Sequence, residues 1–175
     1  MKKNAINISK IIILIIIIIT CTACPDNTNG NGNKPLEPIV GKFTWTEWQQ
    51  QAGWDDYSAS DYTPDAQMVD SLKQLIASDA ITFIIFSSNW CRKDCVPEMP
   101  IMMKLLIELG YEQDSIEIYG LSRDKKEPAG PISHYGIEFV PTLVILTSGE
   151  VVGKIIERPA DNKTWEAGIL QILTN

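Results

Sequence analysis

Two cysteines, Cys91 and Cys95, lie in the segment SSNWCRKDCVPEMP at residues 87–100, with three residues between them. A thiolate can attack a disulfide to form a mixed disulfide, which a second nearby thiol then releases. One helical turn places two α-carbons about 6 Å apart, within the roughly 6.8 Å that a disulfide admits. The same two soft sulfurs could instead bind Cu(I) or form a passive disulfide. The spacing alone leaves these three kinds of chemistry open.

The residues around the pair favour the first cysteine as the nucleophile. The pair lies at the predicted start of a helix, where backbone N–H groups and the helix dipole stabilise a thiolate. Arg92 and Lys93 add positive charge, and Asp94 opposes it more weakly if its side chain points outward. We therefore predict Cys91 as the attacking nucleophile and Cys95 as the resolving thiol. The two basic side chains are equally consistent with a solvated surface turn.

The beginning of the chain predicts secretion. MKKNAINISK carries three lysines and no acid, and the nine-residue apolar run IIILIIIII follows at 11–19. Such a run spans about 14 Å as a helix, about half the hydrocarbon core of a bilayer. A basic start, a short apolar run and then small residues describe a secretory signal, here residues 1–23. The closing T-C-T-A-C resembles a bacterial lipoprotein signal and favours Cys24 over Cys21 as the lipidated residue.

The predicted processing sets the charge and the compartment. Removing residues 1–23 removes three positive charges, so the formal net charge changes from −7 to −10. That balance argues against nucleic acid as a partner, because phosphate binding needs clustered Lys and Arg. The predicted location is the bacterial cell envelope, outside the cytoplasm, with the membrane contacted through the lipid anchor. Thiols there tend to be oxidised unless something keeps them reduced.

The rest of the chain divides into a linker, an aromatic segment and a folded domain. Residues 24–41 are rich in Asn, Gly and Pro and predict a flexible tether. Residues 42–66 are rich in aromatic side chains, which we interpret as packing onto the domain rather than as a carbohydrate or peptide site. These aromatic residues are Trp45, Trp48, Trp54, Tyr57 and Tyr62. Residues 67–175 form the predicted domain, which we expect to be monomeric.

Within the domain, helical and strand patterns alternate. Apolar residues at three- and four-residue spacing predict helices, and short branched or aromatic runs predict strands. The predicted order is a helix after Pro64, a strand at 81–86, a helix ending at Gly110, a strand at 116–122, a short helix, a hairpin of strands at 142–147 and 151–157, and a helix at 162–173. This order predicts an α/β fold with a mixed sheet covered by helices.

Three stretches of the domain resemble the thioredoxin superfamily. The first is the strand that runs into Asn-Trp-Cys at 89–91, with Pro100 five residues beyond the second cysteine. The second is the segment HYGIEFVPTLVIL at 134–146, and the third is the turn SGEVVGK at 148–154. The resemblance covers residues 67–175. It implies a thioredoxin-like three-layer fold, with a mixed central sheet flanked by helices.

The resemblance also implies a function and a set of site residues. The implied activity is that of a thiol–disulfide oxidoreductase, which needs no cofactor and exchanges disulfides with protein thiols and a redox partner protein. Its Val140–Pro141 peptide bond would be cis and would pack against the cysteine pair. The implied site residues are Cys91 and Cys95 for the exchange, Pro141 beside them, and Trp90, Arg92 and Lys93 in support.

Two departures from the family keep other functions open. The cysteines have one extra residue between them, and Ile85 lies where thioredoxin has a buried acid. CRKDCVPE is also similar to the motif of thioredoxin-fold proteins that deliver copper, but their distal histidine would fall near Pro141. The sole histidine, His134, is predicted to be a surface residue, and two cysteines are too few for a closed zinc site. A partner-binding module without catalysis is the third possibility.

Overall fold

A computed structural model of the chain describes residues 36–54, 59, 61–126 and 130–175. The predicted signal peptide, Cys21, Cys24 and residues 24–35 of the expected linker lie outside these residues, as does Tyr57. Among the residues described, no helix is both long enough and apolar enough to cross a bilayer.

Five strands form one mixed sheet in the order β1-β3-β2-β4-β5. Strands β2 and β3 are parallel, and the other neighbouring strands are antiparallel. The central strand β2 is buried along most of its length, which explains why its sequence ITFIIFS is almost continuously apolar. The strands are β1 Gly41–Phe43, β2 Ile81–Ser87, β3 Glu117–Gly120, β4 Thr142–Thr147 and β5 Glu150–Ile156.

Five α-helices pack against this sheet and one another. Side chains of Thr44, Asp65 and Thr164 accept hydrogen bonds from backbone N–H groups in the first turns of three of them, which sets where those helices begin. The last helix packs against the second helix, the third helix and β5. The helices are α1 Trp45–Ala52, α2 Ala66–Ser78, α3 Arg92–Glu108, α4 Pro131–Tyr135 and α5 Trp165–Leu173.

The predicted α/β class, the mixed sheet and the order of elements from α2 to α5 are confirmed. Two boundaries differ. The strand expected at 116–122 is confined to Glu117–Gly120. The last helix begins at Trp165 rather than at 162, because Thr164 caps it after a short 3-10 turn. Two elements were not predicted: β1, at the boundary of the expected linker and the aromatic segment, and α1, within the aromatic segment.

The aromatic segment packs into the domain, as we interpreted it. Trp45, Trp48 and Trp54 are all buried, and the rings of Trp48 and Trp54 meet edge to face with centroids 5.6 Å apart. Ahead of them, β1 pairs with β3 at the edge of the sheet. The segment is therefore part of the folded domain.

The end of the expected linker is also in contact with the domain. A β-carbon on Gly120 would lie 2.3 Å from the carbonyl oxygen of Ile39, so only glycine permits this approach. Residues 36–40 therefore cross the end of β3 and reach the loop that leads into α3.

A buried carboxylate joins the aromatic segment to the last helix. Glu166 in α5 is 1% exposed and accepts hydrogen bonds from the Tyr62 hydroxyl at 2.6 Å and the Asp65 amide at 2.9 Å. Nearby, the ammonium group of Lys104 donates to the carbonyl oxygens of Ala59 and Tyr62. Every one of these bonds links chain segments that are distant in sequence, so the cluster stabilises the packing of this region.

Candidate functional site

The two cysteines lie at the start of α3, directly after the central strand. Cys91 is the residue that precedes the first helical position, and the Cys95 amide donates a hydrogen bond of 3.1 Å to the Cys91 carbonyl. Both residues are 0% exposed. Cys95 is a free cysteine, so the structure does not join it to Cys91. The two cysteines do not differ in exposure, but they differ in position. Cys91 lies at the N-terminal end of α3, where the first backbone N–H groups have no partner within the helix.

A serine lies between the two cysteines. The Ser88 hydroxyl oxygen accepts a hydrogen bond of 3.2 Å from the Cys91 amide and lies 3.9 Å from the Cys95 sulfur. Its neighbour Ser87, the last residue of β2, is equally buried, and within the described part of the chain its hydroxyl makes no hydrogen bond. Sequence reasoning missed both serines, although they stand in the motif itself.

The loop before β4 contacts Cys91. The Val140–Pro141 peptide bond is cis, as the resemblance implies. The Cys91 sulfur lies 3.7 Å from the Val140 carbonyl oxygen. The Glu157 amide donates a bond of 2.7 Å to the Pro141 carbonyl, which fixes the loop to the end of β5. The structure thus brings Pro141 to the cysteine pair from about 50 residues away.

The charge nearest to the Cys91 sulfur among the described contacts is negative. The Asp94 carboxylate lies 4.0 Å from that sulfur, so its negative charge is closer to the sulfur than it would be with an outward side chain. The Arg158 guanidinium forms an ion pair with Asp94 at 3.1 Å. Arg92 is half-buried and Lys93 is exposed. Arg158 therefore supplies the compensating positive charge beside Asp94, 64 residues along the chain.

A second carboxylate extends this ion pair along α3. Glu98 lies one turn after Asp94, and its Oε1 is 3.9 Å from the Nε of Arg158. Its other oxygen accepts a hydrogen bond of 2.9 Å from the Trp165 indole. The first turns of α3 are therefore tied to the end of β5 and to the start of α5. No sequence signal links Arg158 to the motif, since it lies outside every stretch that resembles the family.

Trp90 and Asn89 hold the loop before Cys91 in place. The Trp90 indole donates a bond of 2.9 Å to the Leu121 carbonyl, and the Arg123 guanidinium lies 5.6 Å from its ring centroid. The Asn89 side chain accepts from the Ile39 amide at 3.1 Å and donates to the Glu37 carbonyl at 2.9 Å. Asn89 therefore pairs with residues 37–39 much as a neighbouring strand would.

The Cys95 thiol is held in its neutral form. The pKa of Cys95 is raised to about 11, mainly by burial and to a smaller extent by the negative charge of Asp94. Hydrogen-bonding groups of Ser87 and Ser88 act in the opposite direction and lower that pKa. A neutral buried thiol suits the second, resolving step of an exchange rather than the first attack.

The copper-delivery alternative would rest on the two cysteine sulfurs. Across the described ranges, no three or more His, Cys, Asp or Glu side chains are grouped so that they could hold a metal ion. His134 is exposed on α4, where its ring contacts that of Tyr135 at 4.9 Å, in agreement with its predicted surface position. Delivery of copper stays a prediction.

Comparison with known proteins leaves the family open. No family model matches the chain, and no curated protein matches it. Among solved structures, the chain is similar to a crystal structure of a Pseudomonas aeruginosa protein of unknown function, with 17% identity over 74% of this chain and 79% of that chain and a TM-score of 0.39. A TM-score this low supports no conclusion about fold or function.

Proposed function

We propose that this protein is a thiol–disulfide oxidoreductase with a thioredoxin-like fold, acting through Cys91 and Cys95. One observation carries the proposal. Two buried cysteines lie one turn apart at the start of α3, against the carbonyl that precedes a cis proline. A passive staple is a weak alternative, because Cys95 is free and a disulfide across so short a loop contributes little stability.

The chemistry follows from where the two sulfurs lie. The Cys91 thiolate, stabilised by the N–H groups at the start of α3, attacks one sulfur of a partner disulfide and displaces the other as a thiolate. Cys95 then attacks the Cys91 sulfur, forms the internal disulfide and releases the second partner sulfur. The Cys95 proton ends on that departing sulfur. The partner disulfide gains two electrons and the cysteine pair loses them.

We also propose that Cys24 carries a lipid that holds the protein on the outer side of a bacterial membrane. The support is the signal pattern of residues 1–23 and the small residues before Cys24. Expression with a labelled fatty acid tests this. We expect label in the wild type and in Cys21→Ser, and none in Cys24→Ser. Label that persists in Cys24→Ser would contradict it.

A redox titration of the full-length protein tests the exchange. The background carries Cys21→Ser and Cys24→Ser, so that only Cys91 and Cys95 can react. We expect the pair to move between dithiol and disulfide across defined glutathione ratios and to speed the reduction of insulin. Cys91→Ser should abolish catalysis, and Cys95→Ser should trap mixed disulfides.

Two results would overturn the proposal. A pair that stays reduced at every glutathione ratio cannot cycle. A protein that reduces insulin no faster than an equal concentration of free thiol is not a catalyst of this reaction. Partner binding without catalysis would then be the better account of the domain.

A further inference from the structure

Two buried serines, Ser87 and Ser88, precede the cysteine pair, and the hydroxyl of Ser88 contacts the sulfur of Cys95. Both serines are 0% exposed, as is the cysteine. The Ser88 hydroxyl lies 3.9 Å from that sulfur. The Ser87 hydroxyl has no hydrogen-bond partner in the described part of the chain, yet it is near enough to the sulfur to favour its charged form. An unpartnered buried hydroxyl is costly, so its presence here calls for an explanation.

The Ser88 hydroxyl is placed to donate its proton to Cys95. This oxygen already accepts the hydrogen bond of 3.2 Å from the Cys91 amide. A hydroxyl has one proton to donate, and the described partner that remains for it is the Cys95 sulfur. Ser88 therefore contacts the resolving sulfur through its hydroxyl and the backbone of the attacking cysteine through its oxygen.

The resolving step needs such a donor. When Cys95 attacks, negative charge develops on a sulfur that water does not reach, which is costly without a hydrogen bond. Strand β2, whose sequence is ITFIIFS, supplies no acidic side chain, and Ile85 in its middle is buried and apolar. The charged group that acts on Cys95 is Asp94, and its negative charge disfavours the thiolate.

We propose that Ser88 is a catalytic residue of the resolving step and that Ser87 assists it. This rests on the proposed exchange through the two cysteines. As Cys95 attacks the Cys91 sulfur of the mixed disulfide, the two hydroxyls donate hydrogen bonds to the Cys95 sulfur and stabilise its charge. The bond between the cysteine sulfurs forms, the bond from Cys91 to the partner sulfur breaks, and the Cys95 proton ends on the released partner thiol.

A two-phase reaction with a coloured aromatic disulfide tests this proposal. The full-length protein carries Cys21→Ser and Cys24→Ser. The first coloured thiolate released reports attack by Cys91, and the second reports resolution by Cys95. In Ser88→Ala we expect the second phase to slow about tenfold, the effect of losing one hydrogen bond in the transition state, while the first phase changes less than about twofold. Ser87→Ala should slow the second phase by less.

Tyr62→Phe is the matched control, because it also removes a single hydrogen-bonded hydroxyl, one whose partner is Glu166 rather than a cysteine. Its second phase should match the parent. An unchanged second phase in Ser88→Ala would overturn the proposal. So would equal slowing of both phases, or equal slowing in Tyr62→Phe, since either would indicate a general loss of packing.

A second measurement separates this proposal from the exchange itself. In a Cys91→Ser background, the pH profile of Cys95 alkylation reports the charge on that sulfur without any disulfide partner. We expect the profile to move to higher pH in Ser88→Ala. If the parent fails to exchange disulfides but this shift is present, the proposed function fails and the contact of Ser88 with Cys95 stands. If the profile does not move, the role of Ser88 fails whatever the exchange assays show.

Discussion

Two buried polar clusters in this molecule are built differently. Around Glu166, the Tyr62 hydroxyl and the Asp65 amide meet the carboxylate at 2.6 and 2.9 Å, so the buried oxygens have close partners. Around Cys95, the Ser88 hydroxyl is 3.9 Å from the sulfur, and the Ser87 hydroxyl makes no hydrogen bond in the described part of the chain.

The difference separates a structural polar cluster from one that suits chemistry. Close hydrogen bonds to one charge state hold a cluster in a single arrangement and stabilise the fold. Hydroxyl groups that make only long contacts to a neutral sulfur can still form stronger hydrogen bonds to it when it becomes negatively charged during a reaction. The comparison predicts that changes near Glu166 alter stability and leave exchange intact, whereas changes near Cys95 alter exchange or its dependence on pH.

The largest stability effect is expected for Glu166→Ala. It removes the acceptor of two partly buried hydrogen bonds, and a hydrogen bond to a charged group contributes about 1.5–3 kcal/mol. We expect the free energy of unfolding to fall by about 3 kcal/mol in urea titrations, while the rate of disulfide exchange in the folded protein stays within about twofold of the parent. Glu166→Gln is the control, since its amide oxygen can still accept one of the two bonds and its loss should be about half as large.

A comparable loss in the free energy of unfolding is expected at high pH, because of the raised pKa of Cys95. Its pKa is raised from an ordinary value of 9.0 to about 11, so the folded state favours the neutral thiol. The stabilisation that this provides is complete below the unfolded-state pKa of 9.0 and is lost as the pH rises through about 11. Two pKa units correspond to about 2.7 kcal/mol.

Urea titrations between pH 9.0 and about 11 test this loss by comparing the parent protein with Cys95→Ala. Both proteins carry Cys21→Ser and Cys24→Ser. Burial also raises the pKa of Tyr62 and Tyr111, so both proteins lose some stability at the highest pH. The parent should lose more than Cys95→Ala over the same range. Parallel losses in the two proteins would show that Cys95 does not carry the dependence.

The sequence was most informative where local pattern decides the structure. The apolar run ITFIIF predicted β2, because a strand buried on both faces needs continuous apolar residues. Two runs rich in branched residues after Pro141, separated by a short turn, predicted the hairpin of β4 and β5. Helix α3 was predicted despite Pro97 and Pro100, because its apolar spacing continues through both prolines. The proximity of Pro141 to the cysteines came from family resemblance.

The rest depends on contacts between distant segments, which local pattern does not encode. The three-residue strand β1 is too short to show alternation, and its pairing with β3 depends on the space that Gly120 provides. Arg158 meets Asp94 across 64 residues. The direction of the Asp94 side chain is set by that ion pair and by the neighbouring sulfur. A charge count beside the motif therefore predicted a more positive environment for Cys91 than the structure shows.

A smaller loss of stability is expected when the contact between Asn89 and the end of the expected linker is removed. Asn89→Ala removes both hydrogen bonds that its side chain makes to Ile39 and Glu37. We expect a loss of about 1–2 kcal/mol in the free energy of unfolding, and faster proteolysis of the chain ahead of β1 in the native protein. Asn89→Asp keeps the acceptor but removes the donor and should lose about half as much. Proteolysis at the parent rate in Asn89→Ala would show that this contact does not hold the segment.

A comparison of Tyr62→Phe with Ser88→Ala distinguishes the two clusters most directly. Tyr62→Phe removes one hydroxyl from the Glu166 cluster and leaves the Asp65 amide bond in place. Because a single hydrogen bond to a charged group is lost while the ring still packs, we expect a fall of about 1–2 kcal/mol in the free energy of unfolding. Ser88→Ala should cost a similar amount, since it also removes one buried hydroxyl. The two variants should therefore match in urea titrations and differ in the resolving phase of disulfide exchange, which only Ser88→Ala slows. If both variants resolve at the same rate, the incomplete contacts around Cys95 are structural like those of Glu166, and the difference between the clusters has no chemical meaning.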